Sequence, residues 1–159
     1  MPFTGQQMLC ANIIIICSDI IELGAMVSAL SGDHNVVAFH DIKEARFYTA
    51  QPFQHDIAFV EFGANASISV SDLLELEKND INVVVLFRTP CPQPVVDLFI
   101  SGKIYGLLRL PIDLELFILQ AQRLIAQASK RKESLEHQRR ILTPKEVAYI
   151  LGEDNEGKS

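Results

Sequence analysis

Glu61 is the residue of this chain best placed to do chemistry. It ends the run Asp56-Ile57-Ala58-Phe59-Val60-Glu61-Phe62-Gly63, where too few apolar residues separate two acids to make a buried helix. The run therefore reads as a fully buried parallel strand. Its carboxyl end carries Glu61 to a sheet edge, and in open α/β sheets that edge is where ligands and reactions gather. A second candidate nucleophile is Cys17, which follows four consecutive isoleucines. A thiol enzyme or phosphocysteine carrier would use such a position. However, Cys17-Ser18-Asp19-Ile20-Ile21 has no glycine-rich loop and no arginine six positions on, so its backbone makes a poor phosphate cradle. His34, His40, His55 and His137 show no metal-ligand spacing.

The elements that must hold these residues follow from apolar runs and from the residues that break them. Asn12 to Cys17 is the strongest strand signal, because consecutive β-branched side chains disfavour helix and suit a strand covered on both faces. Ser18 or Asp19 is suited to cap a helix running to about Leu30, with Ile20, Leu23, Val27 and Leu30 at helical spacing and Gly32 beyond its end. Asn35 to Phe39 reads as a second strand and His40 to Ala50 as a short helix, with Pro52 before the strand that ends on Glu61. A Gly/Ala/Asn/Ser loop leads into a helix from about Ser71 to Lys78 with Leu73, Leu74 and Leu76 inward, and Ile81 to Phe87 is a fourth strand.

Three prolines within Thr89 to Pro94 exclude helix and central strand there. Val95 to Ile100 is then a brief, almost wholly apolar helix stopped by Gly102, Ile104 to Leu108 is a fifth strand closed by Pro111, and Asp113 opens a long helix. Strand starts near 12, 35, 56, 81 and 104 lie 23, 21, 25 and 23 residues apart. Each interval holds one strand and one crossover helix, the spacing of a parallel doubly wound α/β sheet.

The chain of 159 residues is about one domain, with 48% hydrophobic and 21% charged residues, an ordinary globular composition. A net charge of -6 argues against a nucleic-acid surface on the body. Cys10, Cys17 and Cys91 are odd in number and form no CxxC pair, which fits free thiols in a reducing compartment. Met1 to Ala11 carries no basic residue, and Asp19 cuts the isoleucine run short, which fits neither a signal peptide nor a membrane span. A cytoplasmic protein without membrane contact is expected.

Five βα units, polar residues after the first strand, an acid ending the third and a proline just after the fifth make the chain resemble a response regulator receiver domain. The likeness covers Asn12 to Ser129 and is closest in Asp56 to Glu61 and in Gly106-Leu107-Leu108-Arg109-Leu110-Pro111-Ile112-Asp113. It implies a three-layer, flavodoxin-like (βα)5 fold with strand order 2-1-3-4-5, here with an extended C-terminal helix. A working receiver takes a phosphoryl group from a histidine kinase onto an aspartate at the position of Glu61. Glutamate sets its carboxylate about 1.5 Å further out, and a misplacement of about 1 Å can cost on the order of a hundredfold.

The acids that hold a divalent cation in the family fall on Cys17 and Ser18, or on Ser18 and Asp19 if the loop slips by one residue, so at most one carboxylate remains in the pair and magnesium, which wants hard oxygen ligands, is expected to bind poorly. The phosphate-contacting hydroxyl falls on Phe87, the lysine on Leu110 and the aromatic switch on Leu107. A phosphoryl oxygen there would meet apolar surface. The resemblance thus implies a pseudo-receiver: a non-catalytic, phosphorylation-independent signalling module without cofactor, acting through protein partners of a bacterial-type pathway and through dimerisation. The alternative is an atypical receiver that still accepts phosphate on Glu61 or Asp56, with Mg2+, in a two-component phosphorelay. Glu61 itself reads either as a built-in phosphoryl mimic served by Arg88 or Arg109, or as a strand-end carboxylate that is solvated or paired with an arginine.

Phe117, Ala121, Leu124, Ala128, Arg131, Leu135, Gln138 and Leu142 form a heptad seam with two polar interruptions, while Leu114, Ile118 and Ile125 are expected to face the sheet. The sequence divides into a receiver-like domain (1–129), a helical extension (130–142) and a short capped helix with a disordered tail (143–159). A solvated helix and a dimerising coiled coil both fit the extension. Residues 130–140 hold five basic side chains and two acids but no aromatic residue, so nucleic acid is not expected to bind this chain alone. Val147, Ile150 and Leu151 form a candidate docking face of the last helix. Val96, Phe99 and Ile100, with Leu124, Leu135 and Leu142, are the expected partner or dimer surface, dense core packing being the alternative for the fourth helix.

Overall fold

The computed structural model describes residues 10–49, 55–63 and 68–141, with the side chains of 47–49 and 131–141 outside it. The short capped helix and tail expected within 143–159, the loop at 64–67, Pro52 and Leu142 lie outside the described residues, as does the side chain of Leu135. The chain divides into two units, Met1–Ser129 and Lys130–Ser159.

Strands and helices alternate along the described residues: β1 (Asn12–Ile16), α1 (Ile20–Leu30), β2 (Asn35–Phe39), α2 (Ile42–Thr49), β3 (Ile57–Glu61), α3 (Val70–Lys78), β4 (Asn82–Arg88), α4 (Gln93–Ile100), β5 (Gly106–Leu110) and α5 (Leu114–Ile141). The five strands form one parallel sheet of order β2-β1-β3-β4-β5, which is the order the resemblance implies. Side-chain alternation sorts the strands' residues onto two faces. Ile13, Ile15, Ile57, Phe59, Val84, Leu86, Leu108 and Leu110 pack against Leu23, Met26 and Leu30 of α1 and Phe117, Ala121, Ile125 and Ala128 of α5. Ile14, Ile16, Ala58, Val60, Val83 and Val85 meet Ile42 and Ala45 of α2, Leu73 and Leu76 of α3 and Val95 of α4. Burial on both faces is why these strands read as unbroken apolar runs.

At the amino edge the strand starts are tied by polar side chains. Asp56 Oδ2 accepts the Asn12 N–H at 2.8 Å, and Asn35 and Asn82 donate side-chain N–H bonds to Asn12 Oδ1 and to the Asp56 carbonyl. Asp56 therefore stands at the opposite end of β3 from Glu61, about 16 Å away along the strand. That separation removes it from the crevice in which the alternative phosphoacceptor reading would need it.

The helices differ from the sequence expectation in four places. Leu74 of α3 is half-buried, outside the stripe of Leu73 and Leu76, and α4 starts at Gln93 and takes in Pro94, because a proline in the first turn of a helix gives up no hydrogen bond. In α1 the buried stripe is Leu23, Met26 and Leu30, leaving Ile20 exposed and Val27 half-buried. In α5 the buried stripe is Phe117, Ala121, Ile125 and Ala128. Of the three residues expected inward, only Ile125 is fully buried. Leu114 is exposed because it opens the helix past the last residue of β5, and Ile118 sits at the side of the stripe. β4 and β5 run to Arg88 and Leu110, further than expected, because Tyr105 N–H bonds to the Val83 carbonyl and sets Val84 opposite Gly106. Gly106 lets α5 approach closely: a Cβ there would lie 3.2 Å from the Leu124 methyls. Gly102 (φ 82°) ends α4 in the left-handed region that glycine tolerates. Among the described residues no helix is long and apolar enough to cross a membrane.

Candidate functional site

At the carboxyl edge of the sheet the ends of β1, β3, β4 and β5 converge with the start of α1. Asp19 caps α1, its Oδ1 accepting the N–H groups of Ile21 and Glu22 at 2.9 and 3.1 Å. The sequence left Ser18 and Asp19 as rival caps. Asp19 takes the role, and Ser18 is thereby free to turn toward β3.

Glu61 is only 4% exposed. Its Oε1 accepts both the backbone N–H and the hydroxyl of Ser18, at 2.8 and 2.7 Å, and its Oε2 lies 3.7 Å from Arg88 Nη2. The same guanidinium hydrogen-bonds Glu22 Oε1, while Glu22 Oε2 accepts the Ile112 N–H at 3.2 Å. Ser18, Glu61, Arg88, Glu22 and Ile112 thus form one connected chain of polar contacts across the crevice. The Glu22 hydrogen bond, foremost, holds the Arg88 guanidinium above its ordinary pKa, so its charge is fixed.

Sequence reasoning missed Glu22. The signal was an acid three residues after a helix cap, on the first turn beside a strand edge, with an arginine ending the fourth strand.

The other residues singled out by sequence fall around this chain. Cys17 is fully buried and its thiol makes a long contact of 3.8 Å with the Asp19 carbonyl. Burial pushes that thiol up to about 11, so it is protonated at neutral pH and a poor nucleophile. A shallow recess with room for about one water molecule opens beside Cys17, Ser18, Asp41, Ile42, Glu61 and Ile68. Leu110 joins the core on the α1/α5 face. Phe87 is half-buried and, by strand alternation, points to the face opposite Arg88. Arg109 sits opposite Phe87 in the β4–β5 register and is exposed, apart from the Glu61 cluster.

On α4 only Val95 is fully buried. Val96 is half-buried, whereas Phe99 and Ile100 are exposed, as are Leu116 and Leu119 of α5. Leu124 turns inward against the core, so it lies off this exposed set.

The receiver resemblance implies a magnesium ion at this edge, and the donors present do not fit one. Cys17 offers a buried protonated thiol, and the Ser18 hydroxyl donates to Glu61. An Asp19 oxygen is committed to the helix cap, and both Glu22 oxygens are already in use. Hard oxygen ligands in octahedral array are what magnesium needs.

The Cys17 thiol yields a direct prediction. Cys10 is exposed and should alkylate with iodoacetamide in the native protein, while Cys17 should react only on unfolding. A thiol whose pKa is raised on folding stabilises the native state below its unfolded value of 9.0 and loses that contribution as pH rises toward about 11. Peptide mapping after native labelling at pH 8 checks it, and early modification of Cys17 would show that the thiol is reachable.

No protein-family model and no curated protein sequence match the chain. Solved structures do. A response regulator from Thermotoga maritima aligns with a TM-score of 0.62 at 16% identity, over 74% of this chain and 99% of that one. A response regulator receiver domain protein from Clostridium thermocellum aligns at 0.64 with 21% identity, over 79% and 98%. NtrX from Brucella abortus, solved with ADP, aligns at 0.68 with 16% identity over 86% of this chain but only 31% of its own length. The chain therefore has the flavodoxin-like fold of response regulator receiver domains.

Proposed function

We propose that this protein is a pseudo-receiver: a signalling module of the two-component type that binds protein partners without accepting phosphate and without acting as an enzyme. The observation that carries this reading is the state of Glu61. Its carboxylate is buried and already engaged by Ser18 and Arg88, whereas a phosphoryl acceptor needs a free oxygen in line with phosphorus and a cation to neutralise the developing charge. Phe87 and Leu110 supply neither hydroxyl nor ammonium. A carboxylate gripped by donors at this position also suits a built-in anion that holds one conformation permanently.

The partner surface we assign to the exposed apolar residues of α4 and α5, Phe99, Ile100, Leu116 and Leu119. These flank the edge strand β5, and a second copy of the chain is the occupant proposed. Incubation with beryllofluoride and magnesium is expected to leave the amide spectrum unchanged around Glu61. Shifts centred on Ser18, Glu61 and Arg88 would overturn the reading in favour of a working receiver. Light scattering on the same sample is expected to give a dimer that Leu119→Glu dissociates, and a monomeric wild type removes the self-association.

A further inference from the structure

The crevice presents an electrostatic problem that its own residues solve. The Glu22 and Glu61 side chains are 11% and 5% exposed, and two carboxylates buried close together repel each other unless a cation stands between them. Among the described residues the ion pairs of both go to one group, the Arg88 guanidinium. Arg88 reaches them from the end of β4, on the face it shares with Leu86 and Val84, while its neighbour Phe87 points the other way. Glu22 holds the guanidinium on one side and the Ile112 N–H on the other, so the cation also fixes the segment that leads into α5. The planar fork of arginine can serve two carboxylates at once, which a lysine would do only as a point charge.

Resting on the pseudo-receiver reading, we infer that Arg88 is the permanent cation of this crevice, occupying the place where a divalent ion would otherwise neutralise Glu22 and Glu61. The magnesium misfit then has a cause beyond missing ligands: the acids that remain are already neutralised from within. Removing the guanidinium should leave the Glu22 and Glu61 carboxylates without their shared cation, a charge that an external divalent ion can then neutralise.

The test is manganese broadening of amide signals in the full chain. Wild type and Arg88→Lys are expected to show no selective broadening. Arg88→Ala should lose the signals of Ser18, Glu61 and Ile112 on manganese addition, and magnesium should compete the effect away. Silence in a folded Arg88→Ala overturns the inference and leaves the pseudo-receiver reading intact. Broadening in the wild type sinks that reading itself. Should Arg88→Ala fail to fold, Arg88→Gln takes its place. Recovery of either variant's native spectrum by magnesium supports the inference, and failure of both to fold with or without magnesium counts against it.

Discussion

Phe59→Ala is expected to cost about 3–5 kcal/mol of stability, the largest loss of any single truncation proposed for this chain. Phe59 lies on the middle strand of the sheet, fully buried, with its ring centroid 5.8 Å from that of Phe117 at a tilt of 60°. Truncation removes a ring's worth of transfer free energy and leaves a cavity that flanking strands on both sides cannot close, because β1 and β4 hold β3 in register. The contact with Phe117 is also one of the points at which α5 docks, so the loss should be felt in that helix as well.

Urea unfolding checks the prediction: the midpoint should fall while its denaturant slope stays constant, since the surface exposed on unfolding hardly changes. Ser28→Ala, on the exposed side of α1, is the control and should stay within about 0.5 kcal/mol. Near-equal effects from the two substitutions would mean that the β3 core is not packed as described.

How much of this could be read in the chain beforehand depended on the range of the interactions involved. The strands were legible because doubly covered parallel strands are apolar at every position, so Ile13 to Ile16 and Ile57 to Val60 announce themselves without any partner being known. Strand order was not legible from periodicity. It came from the resemblance, and the ladder reproduces it. The phase of α5 was misread because Leu114, Leu116, Phe117, Ile118, Leu119, Leu124 and Ile125 offer more than one apolar stripe. Only the position of the helix over β5, set by the close approach of Leu124 to Gly106, selects among them.

The edge cluster was half legible. Glu61 stood out because a strand-end acid is conspicuous, and Arg88 was named beside Arg109 as its candidate partner, of which Arg88 is the one in reach. Glu22 was not, because its contacts span 66 positions to Arg88 and 90 to Ile112, and its place three residues after the Asp19 cap marks the acid without marking those partners. Cys17 and Leu110 were singled out because the resemblance sets them where the family carries polar groups. The structure adds that their side chains are absorbed into the core on the α1/α5 face.

Glu61→Lys is the second large effect, with an expected cost on the order of 4 kcal/mol. The substitution sets an ammonium beside the Arg88 guanidinium in a position that is nearly closed to water, and it replaces an acceptor by a donor in front of the Ser18 N–H and hydroxyl. Hydrogen bonds to a charged acceptor contribute about 1.5–3 kcal/mol each, and both would be lost along with the charge balance. The Arg88 ion pair adds less, since its side chain is 39% exposed and screened by solvent.

Glu61→Gln separates shape from charge, because the amide oxygen can still accept from Ser18. It should cost only about 1 kcal/mol. The two variants compared in urea, with amide shifts at Ser18 and Ile112 followed in parallel, distinguish a carboxylate that organises the crevice from one that merely fills it. Equal stability of Glu61→Lys and Glu61→Gln would mean that the negative charge does nothing there, and with it the account of Arg88 as the crevice's cation would lose its footing.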